Sequence, residues 1–193
     1  MEPRNEPNLP SAGSCHVKAC DALLDELAIR NLVMRYCRGC DRRDFALVRS
    51  LYHDDAIDEH GSMFRGGPDE FVAWLPQATA PWELTRHEIG NSVIVVAGDV
   101  AEGEHYVRAW HRTPPPDRRE FTVHGRYLDR YERRDGLWKF LHRRLVFDHG
   151  EIRGVDEAAT AALAADAPNG TSGRDDPSWM LELLSRPSPS RSP

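Results

Sequence analysis

Three residues in this sequence are of types that move protons. Residues 35–44 read RYCRGCDRRD and hold Tyr36 and Asp41, with His87 far along the chain. An imidazole titrates near neutral pH and suits a general base. A carboxylate beside it would hold one ring nitrogen, fix the tautomer and stabilise the imidazolium. A tyrosine hydroxyl could donate to a carbonyl or leaving oxygen as charge develops there. Together they suffice to remove an acidic C–H next to a carbonyl, followed by elimination, isomerisation or ring closure. Each also has a plainer role when taken alone. Tyr36 fits a core position with its hydroxyl satisfied, Asp41 a loop or cap, and His87 a structural histidine.

His60, within Asp58-Glu59-His60-Gly61, is a candidate for the wall of the same pocket. Arg144 could orient an anionic group, although strand parity leaves open whether Arg143 or Arg144 points inward. Trp110, with Trp74, Trp82, Tyr106 and Phe147, would either wall a pocket or fill the core. Cys37 and Cys40 form a C-x-x-C, which can be redox-active or half of a zinc site that Cys15 and Cys20 would complete. Both fall on an apolar helical face, so packing is their expected role. The nine histidines show no H-x-H or H-E-x-x-H spacing, and no metal site is expected.

These residues must be positioned by the elements around them. Asp21 can cap a helix running to Cys37 or Arg38. Ile29, Leu32, Val33, Tyr36, Cys37 and Cys40 recur at helical spacing and form one apolar face. Gly39 is expected to end the helix. Asp41 could then swing back toward Tyr36, whereas an unbroken helix would carry it ~140° away. Asp44 caps a short helix over 45–51, followed by a turn at 52–55 and a short strand over 57–63. Pro68 suits the first turn of a third helix. Strands then follow at 85–96, 101–112, 120–133 and 137–148, with turns at Gly98-Asp99 and Asp135-Gly136. Three prolines make 113–117 a loop. Helices first, then hairpin-linked strands, argue an α+β fold with a curved antiparallel sheet, whose helices would enclose a conical cavity.

The chain of 193 residues suits one domain over 21–150. A disordered arm is expected at 1–20 and an extension at 151–193. That extension holds an Ala-rich helical stretch at 155–167, a short amphipathic piece at 178–184 and a Ser/Pro/Arg tail. A net charge of -6, with acids and bases interspersed, argues against a nucleic-acid partner. No apolar run reaches the ~18–20 residues of a membrane span, so no membrane partner is expected. No signal-peptide core is visible, so a cytoplasmic setting with reduced thiols is expected.

Residues 28–41 (AIRNLVMRYCRGCD), 52–56, 85–91 (TRHEIGN) and 127–140 (YLDRYERRDGLWKF) together resemble the SnoaL-like group of the nuclear-transport-factor-2-like superfamily. The resemblance covers roughly 22–150, the size of one domain, and Asp-Pro-Ser at 176–178 is similar to a C-terminal feature of the group. It implies a cone-shaped, cystatin-like barrel of mostly antiparallel sheet wrapped around N-terminal helices, commonly dimeric through the outer sheet face. Members include polyketide cyclases, scytalone dehydratase, bile-acid 7α-dehydratase and hexachlorocyclohexane dehydrochlorinase; the last three need no cofactor. Tyr36 and Asp41 match the Tyr-x4-Asp of the bile-acid enzyme, and His87 matches its pocket histidine. Its second carboxylate falls at Ala109 and its arginine near Phe147, so its particular syn elimination is not implied. The resemblance thus implies a cofactor-free lyase or isomerase, as a homodimer, acting on a small apolar substrate that bears a carbonyl. The alternatives are a non-catalytic ligand-binding or assembly module, and a subunit similar to the β subunit of ring-hydroxylating dioxygenases.

Overall fold

The computed structural model describes residues 12–156, 158 and 166–185. Helix α1 spans Ala12–Asp41, so it starts inside the stretch expected to be disordered. Ile29, Leu32, Val33, Tyr36, Cys37 and Cys40 are all buried, which is the apolar face that the helical spacing predicts.

Gly39 does not end this helix. It lies under α2 (Phe45–Ser50), where a Cβ would come 2.7 Å from Val48 Cγ2. The absent side chain lets α2 fold down onto α1. Termination falls to Arg43, which adopts a left-handed φ of 55°. Its guanidinium donates to the carbonyls of Thr79 and Trp82 at 3.2 and 3.0 Å, tying the helix end to the chain that leads into the sheet. In an ordinary helix Gly→Ala gains about 1 kcal/mol. Here the sign reverses: Gly39→Ala should cost ~1–3 kcal/mol through overpacking, read as a lower urea midpoint.

Strand β1 covers Tyr52–Glu59, so the expected turn at 52–55 is extended chain. Its acidic sequence is a poor strand former, but it pairs in parallel with β6, with Tyr52 beside Phe140, and such pairing overrides local preference. The short β2 (Arg65–Gly66) precedes α3 (Pro68–Thr79), which has Pro68 in its first turn. Strands β3 (Leu84–Ala97), β4 (Val100–Arg112), β5 (Arg119–Arg134) and β6 (Leu137–Gly154) complete the sheet. β6 runs on to Gly154 rather than stopping at 148. The order is β2-β1-β6-β5-β4-β3, and only β1 and β6 are parallel. This is an open, mixed α+β cone with α1 packed across its inner face.

The interior beside Tyr36 is occupied rather than hollow. Arg143 is fully buried and forks onto Asp129 with bonds of 2.8 and 2.6 Å. Its guanidinium lies 4.1, 4.0 and 4.1 Å from the rings of Tyr36, Tyr127 and Phe140. Cation–π attraction and the bidentate carboxylate together offset the cost of burying the charge. Asp129 also accepts from the Tyr131 hydroxyl at 2.8 Å.

In the C-terminal extension, Asp176 pairs with Arg42 at 3.0 Å. Ser178 Oγ accepts from both Arg38 and Arg42. The amphipathic piece forms a 3-10 turn at Pro177–Met180 and a helical turn at Glu182–Ser185. Most of the Ala-rich stretch and the terminal tail lie outside the described residues. Among the described residues no helix is long and apolar enough to cross a membrane.

Candidate active site

Asp41 is the last residue of α1 and His87 sits in the first half of β3, yet the two meet at two points. Asp41 Oδ1 lies 2.7 Å from His87 Nδ1, and Oδ2 accepts the backbone N–H of His87 at 3.0 Å. Both carboxylate oxygens are therefore held by one residue. The carboxylate is an acceptor, so the ring proton belongs on Nδ1 and the lone pair on Nε2. Nε2 has no hydrogen-bond partner among the described residues and is not sealed from solvent. This is the orientation a general base needs.

Strand pairing supplies the surroundings. His87 pairs with Ala109, and Thr85 with His111, which in turn pairs with Phe121. These rows share the inner face, because side chains of paired residues point the same way. The His111 ring meets the His87 ring edge-on at 5.9 Å, Trp82 packs 4.9 Å from His111, and Phe121 packs 5.2 Å from Trp82. Burial, and then the neighbouring His87, push His111 down to about 4, so it is neutral at pH 7. A cluster of mutually tilted aromatic rings thus stands next to the imidazole. Ala109 leaves the strand position opposite His87 without a second carboxylate. His111 and Phe121 are not among the expected site residues; the signal for them is strand alternation, with His111 two residues after Ala109 and Phe121 two before Val123.

The other expected site residues lie elsewhere. Tyr36 is enclosed by the Arg143 cage; burial first, then Cys40, Tyr127, Tyr52 and Asp58, raise its hydroxyl well above the usual phenol range. The reason is geometric. The helix continues through Gly39, so Tyr36 and Asp41 leave it in directions ~140° apart. Tyr36 makes no hydrogen bond to Asp41 or His87 among the described residues. His60 belongs to a separate string in which Asp58 accepts from the Tyr52 hydroxyl at 2.7 Å and holds His60 Nδ1 at 2.5 Å. The His60 ring stacks on Phe71 at 5.4 Å. Trp110 pairs with Arg86 and faces outward, 5.3 Å from the Arg86 guanidinium. Arg143 is the inward arginine; Arg144 is exposed and binds Glu59 at 2.6 Å. Burial pushes the Cys37 thiol up to about 12 and the Cys40 thiol higher still, which keeps both protonated and unreactive.

Burial also holds His105 down to about 4. Its Nε2 meets the Tyr131 hydroxyl at 2.8 Å and its Nδ1 meets Ser92 Oγ at 2.9 Å. In the unfolded chain an imidazole takes its proton near pH 6.5. Between pH 6.5 and 4 the unfolded state therefore binds more protons than the folded state. The contribution of such a histidine to stability falls as pH falls through that window and levels off below it. His105 and His111 should each remove roughly 3 kcal/mol across it. Urea unfolding at stepwise lower pH reads this loss, and His105→Gln should flatten part of the slope.

Residues 21–144 match the family model described as the SnoaL-like domain. No curated protein matches the chain at a significant level. Several solved structures share its fold. A scytalone dehydratase-like protein of Novosphingobium aromaticivorans is 24% identical with a TM-score of 0.61, covering 69% of this chain and 91% of its own. A hexachlorocyclohexane dehydrochlorinase of type 3 from Novosphingobium barchaimii is 22% identical with a TM-score of 0.63, covering 70% and 94%. A protein of Kribbella flavida is 25% identical with a TM-score of 0.61, covering 67% and 95%.

Proposed function

We propose that this chain, which belongs to the SnoaL-like domain family, is a cofactor-free lyase or isomerase acting on a small, partly apolar, carbonyl-bearing molecule. The two-point clasp of Asp41 on His87, which leaves Nε2 open, carries the reading. In an elimination of water, His87 Nε2 takes the proton from the carbon next to the carbonyl. The C–H electron pair moves into the carbonyl to give an enolate, and the imidazolium, stabilised by Asp41, exchanges its proton with solvent and can return one to the carbon. In the forward direction the enolate pair becomes the new C=C bond, the C–O bond of the neighbouring carbon breaks, and the imidazolium gives its proton to the departing hydroxide. Atoms balance as loss of one water, with His87 regenerated and no external acid. Trp82, Phe121 and neutral His111 wall the substrate's apolar part. Acid–base help of this kind is worth ~10²–10⁴-fold, which suits an acidified C–H. Structural neighbours named as a dehydratase and a dehydrochlorinase, both names for eliminations, support the class. Pairing into a homodimer through the end of the outer sheet face that carries exposed Val93, Val95 and Leu128 is part of the proposal.

The test is proton exchange. Incubated in D2O with a panel of β-hydroxy carbonyl compounds, the chain should promote deuterium uptake at the carbon between the two functional groups, followed by product formation. His87→Ala should abolish both. A second reading, a non-catalytic binding module, is favoured by the filled interior around Tyr36 and Arg143. It requires ligands to bind with no exchange at all, or exchange that His87→Ala leaves intact.

A further inference from the structure

On the reverse face of the sheet, one row away from His87, lies a second cluster that the proposed chemistry does not use. The row Glu88–Arg108–His124–His149 runs across β3, β4, β5 and β6. Glu88 and Arg108 pair there at 3.2 Å, which fixes the outward direction of the row. Glu151, two residues beyond His149 on β6, faces the same way. His124 Nε2 is buried and has no hydrogen-bond partner among the described residues. It lies 3.7 Å from Glu151 Oε1, too far for a hydrogen bond. The ligand atoms of His124, His149 and Glu151 all lie within 4.8 Å of one another.

We propose that His124, His149 and Glu151 form a binding site for a divalent transition ion of the zinc class. Two imidazoles and one carboxylate are a donor set such ions favour. In a tetrahedral site with bonds of ~2.0–2.1 Å, neighbouring ligand atoms stand about 3.3 Å apart, so only small side-chain rotations close this cluster onto an ion. The parallel imidazole rings, 4.3 Å apart, must splay to converge, and the exposed His149 has room to do so. The second oxygen of Glu151 is held by Arg153 at 2.6 Å, which orients the carboxylate from behind. The arginines of this face are already paired: Arg108 with Glu88, and Arg126 with Glu104 and Asp148. His124 and His149 also line a cleft of about 450 Å³. Three protein ligands leave a coordination position for water or an anionic ligand from that cleft.

A bulge creates the site. Arg143, Leu145 and Phe147 pair with the inward Asp129, Tyr127 and Gly125, and strict alternation would send His149 inward too. The register shifts between His124 and Gly125, so that His149 pairs with His124 and Asp148 is extra. Re-aiming a side chain is a common effect of such bulges.

Titration of the full chain with ZnCl2 by calorimetry should show saturable binding with one ion per chain, and Co²⁺ in its place should develop visible d–d absorption. His149→Ala, which removes an exposed ring, should weaken Zn²⁺ binding ~100-fold or more, and Glu151→Gln ~10-fold or more. His142→Ala, outside the cluster, should leave affinity unchanged. Circular dichroism checks that each variant is folded. Wild-type binding no tighter than millimolar, or unchanged affinity in folded His149→Ala, overturns the proposal, leaving the cluster as a stacked imidazole pair.

Discussion

Replacing Asp41 by asparagine should lower turnover roughly 10²–10⁴-fold without unfolding the chain. Asparagine has the same shape but only one acceptor oxygen. His87 presents two donors to Asp41, its backbone N–H and Nδ1–H. The backbone donor cannot change, so the single amide oxygen must serve it and the amide NH2 then faces the ring. His87 is driven to the tautomer with its proton on Nε2, and the base loses its lone pair where the substrate needs it. The expected signature is a fall in kcat with KM little changed. Tyr36→Phe should leave the rate within a few-fold, because that hydroxyl is buried away from the pair. An Asp41→Asn enzyme with wild-type kcat would remove His87 from the chemistry.

The second large effect is on stability. Asp129→Ala should destabilise the fold by ~3–5 kcal/mol, because it strands the charge of the fully buried Arg143. It also takes the acceptor from Tyr131, whose hydroxyl meets His105. Replacing both partners, Arg143→Met with Asp129→Leu, should recover most of the loss, since an apolar pair leaves no orphan charge. Urea unfolding distinguishes the cases. Equal midpoints for Asp129→Ala and wild type would mean the charge is compensated by the surrounding rings alone.

Parts of this molecule were legible because they rest on local periodicity. The six-residue inner stripe of α1, the Asp44 cap, Pro68 opening α3 and the Gly98 and Gly136 turns all follow from spacing or backbone preference. Residue type marks Asp41 and His87 as candidates, but only the resemblance matches both to a site, since 46 residues separate them and no local pattern links them. Gly39 has the residue type of a helix stop, but its small size serves the approach of Val48, so the helix carries Tyr36 away from the Asp41 side. Trp110 faces outward and His111 inward, one step apart along β4. Periodicity gives the alternation of a strand but not which phase faces inward; partners and bulges decide that. The same limit hid the cluster of His124, His149 and Glu151, whose phase depends on the extra residue at Asp148.

The pairing of β3 with β4 is broken once, between Ile89 and Ser92. Below that break His87 faces Asp41; a shift of one residue would present Glu88 to Asp41 instead and turn the imidazole to the opposite face. Two carboxylates would then oppose each other and the site would hold no base. Length changes in β3 should therefore be far less tolerated than in the 113–117 loop, however mild their effect on folding. In a mutational scan, single-residue deletions at 88–91 should separate activity from expression more sharply than substitutions there.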